Sequence, residues 1–139
     1  MVRKKAMDEV GLFDERYFFF FEETDWAYRM RRAGWGVYFV PAAEIFHAQG
    51  KTVGSGLNSR TMFYRSRHIF LKKWRPQSYP LFYLGIFLRL LVNTVLSIIG
   101  VLFTLGFKND INKKVIIYVQ LLIWHLRGCP KTEEKDSQN

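Results

Sequence analysis

Apolar and polar residues alternate differently in three successive stretches of the chain, and each pattern predicts its own kind of element. From the N-terminus to about Gly50 the pattern is mixed. Arg3 to Val10 reads as a short helix stopped by Gly11. Phe13-Asp14-Glu15 reads as a turn. Thr24 to Ala33 carries helix-forming spacing and is closed by Gly34, whose missing Cβ tolerates the left-handed conformation. Trp35 to Val40 is aromatic and β-branched up to Pro41, and Glu44 to Ala48 is a second extended piece, so both are predicted as strands. A glycine-rich loop, Gly50 to Gly56, leads into Ser59–Trp74, where aromatic and basic residues interleave until Pro76 and Pro80. Leu81 to Leu105 is then almost uninterruptedly apolar and long enough for a helix to cross a hydrocarbon core, which takes about 20 residues. Within it Gly85, Arg89, Asn93 and Ser97 recur every fourth position, a stripe for a partner helix or for headgroups. Val115 to Leu126 is apolar but shorter and reads as an interfacial helix.

Composition narrows the class. Of 139 residues, 49% are apolar and 17% aromatic, so only the polar tail after Pro130 is expected to be disordered. The net charge of +9 is uneven. Residues 1–50 are nearly balanced, whereas Arg60, Arg65, Arg67, Lys72, Lys73 and Arg75 form a dense block directly before the apolar stretch. That position suits anionic headgroups or phosphates, and the adjoining apolar segment argues against nucleic acid as partner. The positive-inside tendency puts residues 1–75 on the cytoplasmic face. The single cysteine, Cys129, excludes an internal disulfide and fits a reducing compartment. No apolar core follows Met1–Lys5, so no cleavable signal peptide is expected.

Chemistry concentrates at Phe21-Glu22-Glu23-Thr24-Asp25, three carboxylates where an aromatic run, Phe18–Phe21, enters a helix. One reading is favourable negative charge at a helix N-terminus, worth up to about 1 kcal/mol. The other is a general base with charge partners. Asp25 and Arg29 stand one turn apart and are placed to pair.

Taken together, Val2 to Glu15, Phe18 to Asp25, Arg29, Ala33-Gly34-Trp35, Val40-Pro41-Ala42-Ala43 and Phe46-His47 resemble the C-terminal half of the catalytic domain of family 2 glycosyltransferases, particularly rhamnosyltransferase-like members. The resemblance is close over residues 2–50 and loose over 58–75. It implies an α/β fold, the C-terminal half of a GT-A domain over residues 1–58; the charge and apolar patterns put after it a basic juxtamembrane segment (59–80), membrane-associated helices (81–126) and a disordered tail (127–139). It implies inverting transfer from a nucleotide-sugar donor to a cell-envelope glycan or lipid-linked acceptor. Glu23, where the family usually has Asp, takes the place of the catalytic base. Glu22, Asp25 and Arg29, with Arg65 and Arg67 on the basic segment, take supporting or acceptor-binding places. His47 is the implied ligand of a divalent metal, Mg²⁺ or Mn²⁺. The remaining ligands, the D-x-D aspartates, belong to an N-terminal half that these residues lack; either the chain is a truncated or split reading frame or it joins a separate N-terminal glycosyltransferase half, and alone it should be inactive. A non-catalytic membrane-associated remnant or adaptor is the alternative.

Overall fold

The computed structural model describes residues 1–46, 56–105 and 107–130. Among them every regular element is a helix: α1 (Lys4–Val10), α2 (Glu22–Arg32), α3 (Leu57–Trp74), α4 (Tyr79–Phe103) and α5 (Asn109–Leu126). The chain divides into two units, Met1–Arg75 and Pro76–Asn139.

This corrects the expected α/β architecture: the described residues contain no strand, so the partial GT-A fold read from the resemblance is not the fold found. The segment predicted as the first strand, Trp35 to Val40, is irregular, and so is 44–46 of the second; 47 and 48 lie outside the described residues. β-branched and aromatic composition favours a pleated surface, but a strand forms only when a neighbour pairs with its backbone. Among the described residues no ladder of backbone hydrogen bonds joins these segments to another.

The helices of the first unit start and stop for local reasons. Gly11, at φ 81°, ends α1 and donates its N–H to Met7 O at 2.8 Å. α2 ends in a Schellman motif: Gly34 adopts φ 85°, its N–H reaches Arg31 O, and Trp35 N–H reaches Met30 O at 2.9 Å. α3 lays one face on α2 and on the aromatic run before it. Phe63, Ser66, Phe70 and Trp74, spaced three and four apart, meet Phe20, Phe21, Tyr28 and the carbonyl of Phe19.

The second unit is an antiparallel pair. Tyr83 near the start of α4 donates its hydroxyl to His125 O near the end of α5 at 2.6 Å. Gly100 near the end of α4 faces Ile111 near the start of α5. The buried seam is Ile86, Leu90 and Thr94 from α4 and Leu121 from α5. This is one residue round the helix from the stripe Gly85, Arg89, Asn93, Ser97 singled out by its spacing, because the larger apolar side chains bury the more surface. Thr94 and Ser97 return their hydroxyls to the carbonyls four residues back, which satisfies both donors within an apolar helix. α4, at 25 residues, is about 37 Å long. It is long and apolar enough to cross a membrane, and only 17% of its most apolar stretch is buried.

Candidate functional site

The site is assembled around the entry into α2. Phe20 and Phe21 both adopt left-handed backbone, φ 67° and 69°, a conformation that costs a side chain about 1–3 kcal/mol and persists only when packing over-determines it. Packing does so here. Phe21 lies 5.5 Å from the rings of Phe63 and Phe70, Phe20 lies 5.7 Å from Phe63, and the Ser66 hydroxyl holds the carbonyl of Phe19 at 2.7 Å. The carbonyl of Phe21 accepts the Asp25 N–H and opens the helix two residues before its predicted start, so Glu22, Glu23 and Asp25 share the first turn at the positive end of the helix dipole.

The three carboxylates then diverge. Asp25 is fully buried. It accepts hydrogen bonds from Arg29 Nε (2.9 Å), Lys73 Nζ (2.8 Å), Trp74 Nε1 (2.7 Å) and the Tyr17 hydroxyl (3.2 Å). Burial pushes its carboxyl up, but Lys73, Trp74 and Arg29 together hold it below the usual carboxylate range. Lys73 also reaches Asp14 at 2.8 Å, and Arg16 grips the same carboxylate at 2.6 Å. Asp14 is accordingly held far below its ordinary value, by Arg16 first and then Lys73 against an opposing effect of burial. Tyr17 is pushed up, by burial and by the adjacent Asp25 charge. Arg29 spends its other nitrogens on the carbonyls of Val10 (2.7 Å) and Leu12 (2.6 Å), and Trp26 donates to Gly11 O at 2.8 Å. One buried carboxylate therefore fixes α2 to α3 and, through Arg29, to the end of α1.

Glu23, by contrast, is exposed at the second residue of α2. It heads the helix face that continues through Ala27 and Met30, one and two turns on. Glu22 is half-buried, and its Oε2 is enclosed without a hydrogen-bond partner among the described residues. Arg65 and Arg67 lie half-buried on α3. His47 falls outside the described residues. The structure thus joins Asp25 and Arg29 as the sequence suggested and separates both in role from Glu23. As for Mg²⁺ or Mn²⁺, which prefer about six oxygen ligands, Asp14 and Asp25 already neutralise cationic side chains, so the described residues do not build such a shell.

No site role was read from the sequence for Asp14, Arg16, Tyr17, Lys73 or Trp74, although Lys73 was part of the basic block. A signal for the last two exists. Phe63, Ser66, Phe70, Lys73 and Trp74 fall on one helical face, and a lysine at the end of an otherwise aromatic stripe points to a buried acid.

Comparison with known proteins gives one kind of relative. Over 72 residues, 51% of this chain, the sequence is 39% identical to the N-acetylglucosaminyl-diphospho-decaprenol L-rhamnosyltransferases of two Mycobacterium tuberculosis strains, CDC 1551 / Oshkosh and ATCC 25618 / H37Rv. The match spans 24% of each relative's length. It supports a relationship to glycosyltransferases. No family model and no solved structure matches the chain.

Proposed function

We propose that this chain is the acceptor-side and membrane-anchoring part of an inverting glycosyltransferase, moving a sugar from a nucleotide-sugar donor to a cell-envelope glycan or a lipid-linked acceptor. The observation that carries the reading is the contrast at the α2 entry: Asp25 locked by four donors as a brace, Glu23 left open on the turn it braces. Glu23 takes the proton from an acceptor hydroxyl as that oxygen attacks the anomeric carbon. The bond from that carbon to the diphosphate oxygen breaks, and the nucleotide diphosphate leaves with the electron pair. A brace of this kind matters because misplacing a base by about 1 Å can cost 100-fold. Glu22 lies beside Glu23 as an acceptor contact, and Arg65 and Arg67 meet phosphates of the acceptor or donor.

Donor binding, and the Mg²⁺ or Mn²⁺ that would neutralise the diphosphate, belong in this reading to a donor-binding half outside these 139 residues, with His47 contributing, so these residues alone do not transfer. α4 and α5 hold it at the membrane, with residues 1–75 on the cytoplasmic side. The second reading, a non-catalytic membrane-associated adaptor or remnant, is favoured by one feature: Glu23 has one methylene more than the aspartate usual at the matching place.

The deciding experiment is transfer in membranes carrying this chain together with a donor-binding part, using N-acetylglucosaminyl-diphospho-polyprenol and a panel of nucleotide sugars. Glu23→Gln should lower turnover by about 100-fold or more with donor binding retained, since a base acts in the transition state. Turnover unchanged in Glu23→Gln would remove Glu23 from the chemistry, and no transfer with any donor would favour the adaptor.

A further inference from the structure

The two flanks of the α4–α5 pair differ in chemistry. The contacts Tyr83–His125 and Gly100–Ile111 set the antiparallel register and put Leu90 opposite Leu121, both fully buried. The residues just before these leucines, Arg89 and Gln120, are exposed. In an antiparallel pair the step before the facing residue turns to the same side on both helices, so Arg89 and Gln120 share one flank at one depth. Arg127, six residues after Leu121, is exposed on that flank too. The residues just after the leucines, Leu91 and Leu122, open the opposite flank, which is apolar along α4 through Leu84, Val95, Ile98 and Leu102. Arg89 lies ten residues, about 15 Å, along α4 from Tyr79. The side chains of Arg89, Gln120 and Arg127 make no hydrogen bond or ion pair among the described residues. A cation left open on a helix that crosses a membrane is costly and marks a binding partner.

We propose that this flank, Arg89 and Arg127 on either side of Gly85 with Gln120 beside them, binds the phosphate of an anionic phospholipid in the leaflet where α4 begins. Helical side chains lean toward the start of their own helix, so in this antiparallel pair Arg89 and Arg127 lean toward each other. Their levels differ by about six residues, roughly 10 Å, a gap that two arginine side chains span. Gly85 lies between those levels, and a Cβ placed on it meets nothing within 4 Å, so the space is open. Deeper on the same flank Leu96 and Ile116 are 60% and 58% exposed and offer apolar surface to an acyl chain. The site thus joins two cations and an amide above an apolar track, the order of groups in a phospholipid. A second copy of the chain does not supply the anion: the sole acid within 76–130 is Asp110, in the first turn of α5, at the other end of the pair. Lipid already meets this surface, since only 17% of the most apolar stretch of α4 is buried. The inference rests on the membrane-anchoring part of the proposed function and not on sugar transfer.

The test titrates the full chain in detergent micelles with phosphatidylglycerol, phosphatidylcholine or a polyprenyl diphosphate and counts retained lipids by native mass spectrometry. One phosphatidylglycerol should be retained at least about tenfold better than phosphatidylcholine, and Arg89→Gln and Arg127→Gln should each lower that preference by about fivefold. Gly85→Leu, which fills the gap and keeps both charges, should remove it. Lys113→Gln, which alters an exposed cation near the start of α5, should leave it unchanged. All four positions are exposed, so helicity by circular dichroism should match the wild type; where Gly85→Leu loses it, the arginine variants decide. Three results overturn the proposal: no preference for phosphatidylglycerol, a preference that survives Arg89→Gln, or an equal loss in Lys113→Gln, which reduces the effect to overall charge. Two others overturn it by reassigning the flank. Retention of the polyprenyl diphosphate without phosphatidylglycerol gives it to a lipid-linked ligand, and a dimer abolished by Arg89→Gln gives it to a second copy. A chain that stays soluble without detergent counts against the anchoring reading, whereas a chain that needs detergent and shows no lipid preference counts against this inference alone.

Discussion

Replacing Asp25 by asparagine isolates the charge on which the first unit is built, because the side chain keeps its shape. Asp25 is fully buried and faces two cations, Arg29 at 2.9 Å and Lys73 at 2.8 Å, which are 18% and 17% exposed. Removing one partner of a buried ion pair costs about 3–5 kcal/mol. Both cations keep other acceptors, Asp14 for Lys73 and two backbone carbonyls for Arg29, which puts the expected loss near the lower end, about 3 kcal/mol. A unit of the size of Met1–Arg75 has a total stability of about 4–11 kcal/mol, so this is a large part of it. Urea unfolding of the full chain in detergent, followed by tryptophan fluorescence, reads the loss as a midpoint lowered by about 1–3 M. Trp74 reports on the site directly, since its indole donates to Asp25. The pH dependence carries a sign. The Asp25 carboxyl is held below its unfolded value, so the folded state binds fewer protons than the unfolded one between the two values. Its stabilisation is complete above the unfolded pKa of about 3.9 and is lost as pH falls through the lower, folded value. Asparagine does not titrate, and the Asp14 contribution is common to both proteins. The gap between wild type and Asp25→Asn should therefore be widest at neutral pH and close in acid. A midpoint unchanged at pH 7, or a gap that widens on acidification, would refute the network as a stabilising element.

Other expectations are as direct. Gly34→Ala puts a Cβ at φ 85° with nothing within 4 Å to clash, so it should cost only the backbone strain, about 1 kcal/mol by the same unfolding assay, and leave the fold intact. Leu90→Ala, at a fully buried position of the α4–α5 seam, should destabilise the helix pair by about 2–5 kcal/mol, seen as a lower midpoint for its disruption in mixed micelles. The full chain should stay in the membrane fraction through low- and high-salt washes, and deletion of residues 81–126 should release it; a chain soluble without detergent would contradict the spanning role of α4.

Helix positions were largely legible because their signals are local. Gly11 and Gly34 mark the ends of α1 and α2, and the apolar run after Pro80 marks α4, whatever the rest of the chain does. The pairing of Asp25 with Arg29 was legible for the same reason, being one turn apart on one helix. Strands were misread at 35–40 and 44–46 because β-propensity describes a side chain's fit to a sheet, and the described residues contain none.

The sequence by itself determined where acids, aromatics and cations lie and which segments turn into helices, since capping, periodicity and apolar length act over a few residues. Only the tertiary structure decided which acid is which. Asp25 and Glu23 are two residues apart and chemically alike, yet one is sealed under Lys73 and Trp74 and the other open to solvent. That division depends on α3 returning 48 and 49 residues later to lay its last turn on α2, a contact that no local pattern around Glu22–Asp25 encodes. The charge that becomes a brace is selected by long-range burial, and Glu23 is a charge that burial passes over.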